Sequence, residues 1–198
     1  MVSEQALEHL YKDPILKKAI ESTPPLAVSA GGAVYPYLMR SIASQQLSVK
    51  AAATIYGRFL DLFEEEVPPP QVVMDYDIEV LRGVGLSYQK AGYMKNVAAY
   101  FAQNQGTNWE LHSDEEIIKE LTTIKGVGKW TVEMVLMFAL HRPDVFPIDD
   151  LGIRQAMMEL YDVQLEKKKL YKKLEEIAAP WSPYRTLACR YLWHWKGQ

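Results

Sequence analysis

Cysteine is almost missing. Cys189 is the only one in 198 residues, so no disulfide can close within the chain and no four-thiolate iron–sulfur centre can be built from it. Four histidines lie scattered without the spacing of a zinc site. No long uncharged apolar run is present, which excludes a transmembrane helix. The opening segment MVSEQALEHLYKDP carries acids and lacks an apolar signal core, so secretion is not expected. Positive charge is also short: 22 Lys and Arg against 25 Asp and Glu leave a net −3. That counts against a nucleic-acid partner held by bulk charge. A partner gripped by backbone amides and a local basic patch escapes the objection. Strand-type alternation persists nowhere, and the expected fold class is all-α. Apolar residues make up 48% of the chain, enough for a sizeable core in one or two small domains.

In chain order, residues 4–21 read as helical, interrupted by Pro14 and ended by Pro24-Pro25. Leu26 to Val34 is rich in Gly and Ala and irregular. Helical spacing returns from about Tyr35 to Arg40 and from Ser48 to Phe63, with Ser48 as the N-cap. Glu64-Glu65-Glu66 and Pro68-Pro69-Pro70 read as a loop. Asp75 to Phe101 reads as helix, turn, helix around Gly83-Val84-Gly85, a plain elbow. Ser113 and Glu116 stand at capping-box distance. The lysines 167, 168, 169, 172 and 173, diluted by Glu166, Glu175 and Glu176, read as a solvated helix face. Pro180 to Arg185 opens a final helix that ends in Tyr191, Trp193 and Trp195.

The chemistry concentrates in Leu121 to Ile153, LTTIKGVGKWTVEMVLMFALHRPDVFPIDDLGI. Gly126 and Gly128 let the backbone enter positive φ and lie close to a partner. A helix starting at about Lys129 leaves its first N–H groups without intrahelical acceptors, at the positive end of the helix dipole. Such a turn can hold an anion, and phosphate is the obvious one. It can also be a simple elbow with a glycine C-cap. Asp149 and Asp150 stand where a helix begins, a position where acids often serve only as caps.

The whole stretch resembles the helix-hairpin-helix plus Gly/Pro-Asp motif of the DNA base-excision glycosylases. LxxIxGVGxWT followed by FPxDDLGI is most similar to the alkylpurine (3-methyladenine) branch, and the resemblance covers roughly residues 35–196. It implies a two-lobed helical core with the active-site cleft between lobes. One lobe would span about 35–112 and the hairpin lobe about 113–160, with 161–198 and 1–34 packing back on the core. It implies a monofunctional glycosylase that hydrolyses the N-glycosidic bond of alkylated purines, such as 3-methyladenine and 7-methylguanine, flipped out of duplex DNA. The expected partner is double-stranded DNA with alkylated bases. No cofactor, iron–sulfur cluster or membrane is expected, and the protein should act as a monomer in the compartment that holds DNA: cytoplasm or nucleoid in a bacterium, nucleus in a eukaryote.

The resemblance also assigns residues. Asp150 is the catalytic acid, with Asp149 in support. The register rests on Ile153, three positions after Asp150, and counting from Pro147 alone leaves Asp149 open. Gly126, Val127, Gly128, Lys129 and Thr131 would bind DNA phosphate, with an alkali ion able to sit on the Gly126 and Gly128 carbonyls. Trp130, Tyr184, Met134 and Trp181 would line the base pocket. Trp130 replaces the Schiff-base lysine of the strand-nicking members, and with the single cysteine it argues against the endonuclease III type. The segment Ser44 to Ser48 resembles the family's wedge, with Gln46 first and Leu47 next. The competing reading is a non-catalytic helix-hairpin-helix DNA-binding module. FPxDDLGI and Trp181-Ser182-Pro183-Tyr184-Arg185 have no use in a plain grip.

Overall fold

The computed structural model describes residues 3–26, 31–63 and 67–197. Among these there are helices, 3-10 turns and loops but no strand, and no helix is long and apolar enough to cross a membrane. The expected loops at Ala27–Ala30 and Glu64–Glu66 lie outside the described residues. The chain divides into two compact units. One comprises Met1–Ala30 and Leu136–Gln198, the other Gly31–Val135.

The second unit holds α3 (Val34–Ser44), α4 (Val49–Leu60), α5 (Pro70–Asp75), α6 (Ile78–Gly83), α7 (Tyr88–Gln103), α8 (Asp114–Leu121) and the first part of α9 (Lys129–Phe138). Helix α7 is its centre and packs against α3, α5 and α6, burying Ala91, Met94, Val97, Ala98 and Phe101. Ser48 caps α4 through the Ala51 amide, as its position predicts. The Ser113–Glu116 capping box is complete in both directions, at 3.2 and 2.8 Å. The tri-proline segment departs from expectation. Pro70 is the first residue of a helix, where its missing N–H costs nothing.

The first unit holds α1 (Glu4–Leu10), α2 (Pro14–Glu21), the end of α9, α10 (Leu151–Leu160), α11 (Lys167–Ala178) and α12 (Arg185–Lys196). Pro14 splits the expected 4–21 helix in two, because Asp13 turns inward as the N-cap of α2. Its Oδ1 accepts from the Ile15 and Leu16 amides at 2.9 and 3.0 Å. Its Oδ2 accepts the Tyr161 hydroxyl at 2.6 Å and Trp181 Nε1 at 3.0 Å. One carboxylate thereby pins three separate stretches of chain. Helix α12 packs on α2 and α10. The lysine-rich helix α11 turns Leu170, Leu174 and Ala178 inward and leaves its lysines exposed.

The division falls within α9, not near residues 112 or 160 as the sequence suggests. Contacts explain this. The turn between α8 and α9 is bound to α7, whereas the Arg142 amide donates to Leu136 O at 2.8 Å and Phe138 stacks on Trp193. Each half of α9 therefore belongs with a different set of helices.

Candidate active site

The hairpin turn forms because Ile124 O accepts the Val127 amide at 3.0 Å, which leaves Gly126 at φ +104°. Only glycine is at ease there. A second constraint comes from α7: a Cβ on Gly126 would lie 2.2 Å from Tyr93 Cγ. The two glycines are not equivalent. Gly128 is exposed, a Cβ there would meet nothing, and its carbonyl begins the α9 ladder by accepting from Val132 N at 3.1 Å. Gly126 thus shapes the turn, while Gly128 leaves open ground beside the first amides of α9. Helix α7 holds the turn again through Asn96 Nδ2, which donates to Lys125 O at 3.1 Å. Gly126 O accepts Gln45 Nε2 at 3.4 Å. An alkali ion at the Gly126 and Gly128 carbonyls would have to share both oxygens with protein donors.

Around the turn, Val127 and Thr131 are buried, so their side chains are not on offer to a phosphate. Lys129 is exposed, with Nζ 3.4 Å from Oε1 of the buried Glu133. Trp130 is 42% exposed in the first turn of α9, which places it on the surface and not in the core. Met134, one turn on, is buried.

Gln46 has φ +58° and is exposed. A left-handed non-glycine residue at a loop tip is a sign of imposed conformation. Leu47 and Val49 beside it are also exposed, Val49 to 89%. Behind them Lys90 Nζ donates to Gln45 O at 2.5 Å and to Ala43 O at 3.0 Å, a contact the sequence did not announce.

In the first unit, Asp150 is the N-cap of α10. Its Oδ1 accepts the Ile153 amide at 2.8 Å and Trp193 Nε1 at 2.9 Å. Trp193 is held in turn by Phe138, ring centroids 5.9 Å apart and near-parallel. Gly152 permits this approach, since a Cβ there would lie 3.2 Å from both Asp150 Oδ1 and Trp193 Cδ1. Asp149 differs. It is exposed, and its backbone carbonyl accepts Arg154 at 2.7 Å. Of these two acids, only Asp150 has its carboxyl oriented by both a helix amide and an indole.

The Trp181–Arg185 segment is split by the structure. Trp181 is 1% exposed and donates to Asp13. It is a core residue, and its expected place in a base pocket is corrected: the inward-turned Asp13 draws the indole inside. Tyr184 is half-buried, edge-on to His9 at 5.3 Å. Arg185 grips Asp144 with two bonds of 2.8 Å, and Ser182 Oγ adds a third of 2.8 Å. Burial pushes the Asp144 carboxyl upward, but the bonds from Arg185 and Ser182 outweigh it and hold the group below its ordinary value. The His-Arg-Pro-Asp break after α9 therefore clamps the start of α12.

A glycine turn held by α7 before one helix start, and a carboxylate oriented at the next, stand where the motif of the base-excision enzymes places its parts. The family model described as HhH-GPD superfamily base excision DNA repair protein matches residues 39–183, and the chain belongs to that family. It is 42% identical over 164 residues to DNA-3-methyladenine glycosylase 1 of Schizosaccharomyces pombe, covering 80% of this chain and 71% of that protein. The structure of the S. pombe 3-methyladenine DNA glycosylase (Mag1) in complex with abasic-DNA superposes with a TM-score of 0.80 at 34% identity, covering 96% of this chain and 95% of that one. The Bacillus halodurans DNA-3-methyladenine glycosidase superposes with a TM-score of 0.84 at 32% identity, covering 100% and 91%.

Proposed function

We propose that this protein is a monofunctional DNA glycosylase that hydrolyses the N-glycosidic bond of alkylated purines of the 3-methyladenine and 7-methylguanine type. The observation that carries the reading is the Asp150 carboxylate, fixed by Ile153 N and Trp193 Nε1 at the helix start that follows the Gly126–Gly128 hairpin. A plain DNA grip has no use for such a group.

The substrate is duplex DNA with the damaged nucleotide extruded, because the C1′–N bond is out of reach inside the stack. The hairpin amides would hold backbone phosphate, which positions the duplex without reading its sequence. As the bond breaks, positive charge grows on the deoxyribose. Asp150 would stabilise that charge and orient the water that attacks C1′. The cationic base leaves as a neutral one, so little acid assistance is needed. Exposed Trp130 offers a ring face to a cationic purine, a contact worth roughly 0.5–2 kcal/mol, and half-buried Tyr184 would be a second aromatic for the base. Trp130 also stands where a strand-nicking enzyme needs an amine nucleophile, so no imine forms there and no β-elimination follows. The chain acts as a monomer, without a cofactor.

Base release from methylated duplex DNA, resolved by chromatography with abasic-site cleavage scored in parallel, tests this. The expected result is free 3-methyladenine or 7-methylguanine with intact strands. Strand cleavage accompanied by a borohydride-trapped adduct would overturn the monofunctional reading, and absence of any released base would overturn the glycosylase reading itself.

A further inference from the structure

We propose that Lys90 is a positioning residue that latches the wedge loop, so that α7 acts as a common spine for the two DNA-facing loops of the second unit. The inference rests on the glycosylase reading above, but its first test does not.

Lys90 is out of place by local rules. It lies in the first turn of α7, behind the Ser87 cap, where a cation opposes the helix dipole. A residue that breaks the local preference calls for a compensating contact. The contact is at the other end of its side chain. Nζ meets the carbonyls of Ala43 and Gln45 at 3.0 and 2.5 Å, at the C-terminal end of α3, where carbonyls lack helical partners and a cation is favoured. Burial lowers the Lys90 pKa, as suits an ammonium group withdrawn from water to serve carbonyls.

The residue that follows Gln45 is Gln46, exposed at φ +58°. Lys90 therefore fixes the peptide immediately before the strained loop tip. Lys90, Tyr93 and Asn96 stand three apart, on one face of α7. Tyr93 packs on Gly126 and Asn96 holds Lys125 O. The same helix face thus grips the wedge loop with one residue and the phosphate hairpin with the next two. Gln45 Nε2 closes the circuit on Gly126 O at 3.4 Å. A loop tip that must enter a base stack needs its backbone set in advance, and the hairpin supplies the reference point from which its reach is measured.

The experiment begins with amide hydrogen exchange on the free protein. Lys90→Met should raise exchange at Gln45 and Leu47, whose amides bond Ile42 O and Ser44 O, by at least tenfold, while Lys90→Arg stays near wild type. Binding follows, with a stable abasic-site duplex and an undamaged duplex as probes. Lys90→Met should lose about tenfold in affinity for the abasic duplex, the scale of one charge-assisted hydrogen bond, with undamaged-duplex affinity unchanged. In a double-mutant cycle with Gln46→Ala the losses should be less than additive, because both act through one loop. Unchanged exchange at Gln45 and Leu47, or full additivity, would overturn the latch. If Lys90→Met does not fold, Lys90→Gln, which keeps a donor but falls short of the carbonyls, takes its place in the same measurements. Raised exchange in a protein that releases no base would leave the latch standing and overturn the glycosylase reading alone.

Discussion

At the scale of single residues, the two adjacent acids make the sharpest contrast. Asp150 directs its Oδ1 to two donors, whereas Asp149 projects into solvent. Asp150→Asn keeps an oxygen for Ile153 N and Trp193 Nε1, so the fold should survive. It removes the charge proposed to stabilise the sugar cation. Excision should fall by about 10²–10⁴-fold, the range for a positioned charge-stabilising group, and Asp149→Asn should cost much less. Single-turnover base release on both variants checks this, and a reversed order would make Asp149 the catalyst. Trp193→Phe keeps the stack on Phe138 but removes the indole donor. Excision should drop about tenfold with thermal stability nearly kept, as one lost hydrogen bond implies. The sequence pointed to Asp150 by motif register alone. It was silent on Trp193, which lies in the last helix and meets Asp150 only through tertiary packing. Gly152 carried a faint signal: a glycine inside a helix start has a reason, and here it is room for the indole.

At the scale of elements, local signals were readable and long-range ones were not. Ser48 and Ser113 with Glu116 follow from side chains that bond their own neighbours, and the helix start at Lys129 follows from the glycine turn before it. Pro70 was misread because one proline can end a loop or open a helix, and only packing decides which. The Gly83-Val84-Gly85 turn is the elbow it was read as, but the helix behind it proves to be the scaffold of the hairpin. That role depends on Tyr93 and Asn96, ordinary residues whose partners lie in another segment. The hairpin's dependence on α7 yields a prediction. Gly126→Ala meets both a φ of +104° and a Cβ 2.2 Å from Tyr93 Cγ. Backbone strain and overpacking together should destabilise the protein by about 2–5 kcal/mol. The double substitution Gly126→Ala with Tyr93→Ala should remove the clash but not the strain, recovering part of the loss in a urea unfolding experiment. Gly128→Ala, with nothing near its Cβ, should leave stability within about 0.5 kcal/mol and show its effect only in DNA affinity. Equal destabilisation by the two alanines would contradict the turn geometry described here.

At the scale of the whole molecule, fold class was legible because helical spacing and caps repeat along the chain, whereas the long-range ties within each unit were not. In the first unit those ties are made by groups such as Asp13 and Asp144, each an acid beside a proline. Asp13 joins α2 to Tyr161 and Trp181, and Asp144 joins the α9 exit to Ser182 and Arg185. These two carboxylates also contribute to the acid limit of the protein. Burial raises both, but the bonds each accepts outweigh it, so both folded values lie below the ordinary 3.8. The unfolded chain then binds more protons in the window between the folded and unfolded values, and stability rises with pH across it. The contribution is therefore complete above about pH 4, the unfolded carboxylate value, and is lost as pH falls through the depressed folded values. Urea midpoints should be level from about pH 5 to pH 7 with respect to these groups and should decline steeply below about pH 4. Asp144→Asn gives up the paired bonds to Arg185 and should lower stability at neutral pH by about 1–3 kcal/mol, while making the acid decline shallower because one of its proton-binding groups is gone. Asp13→Asn should act in the same direction. An Asp144→Asn protein whose acid decline is as steep as the wild type's would mean that the Arg185 clamp does not hold that carboxyl down in solution.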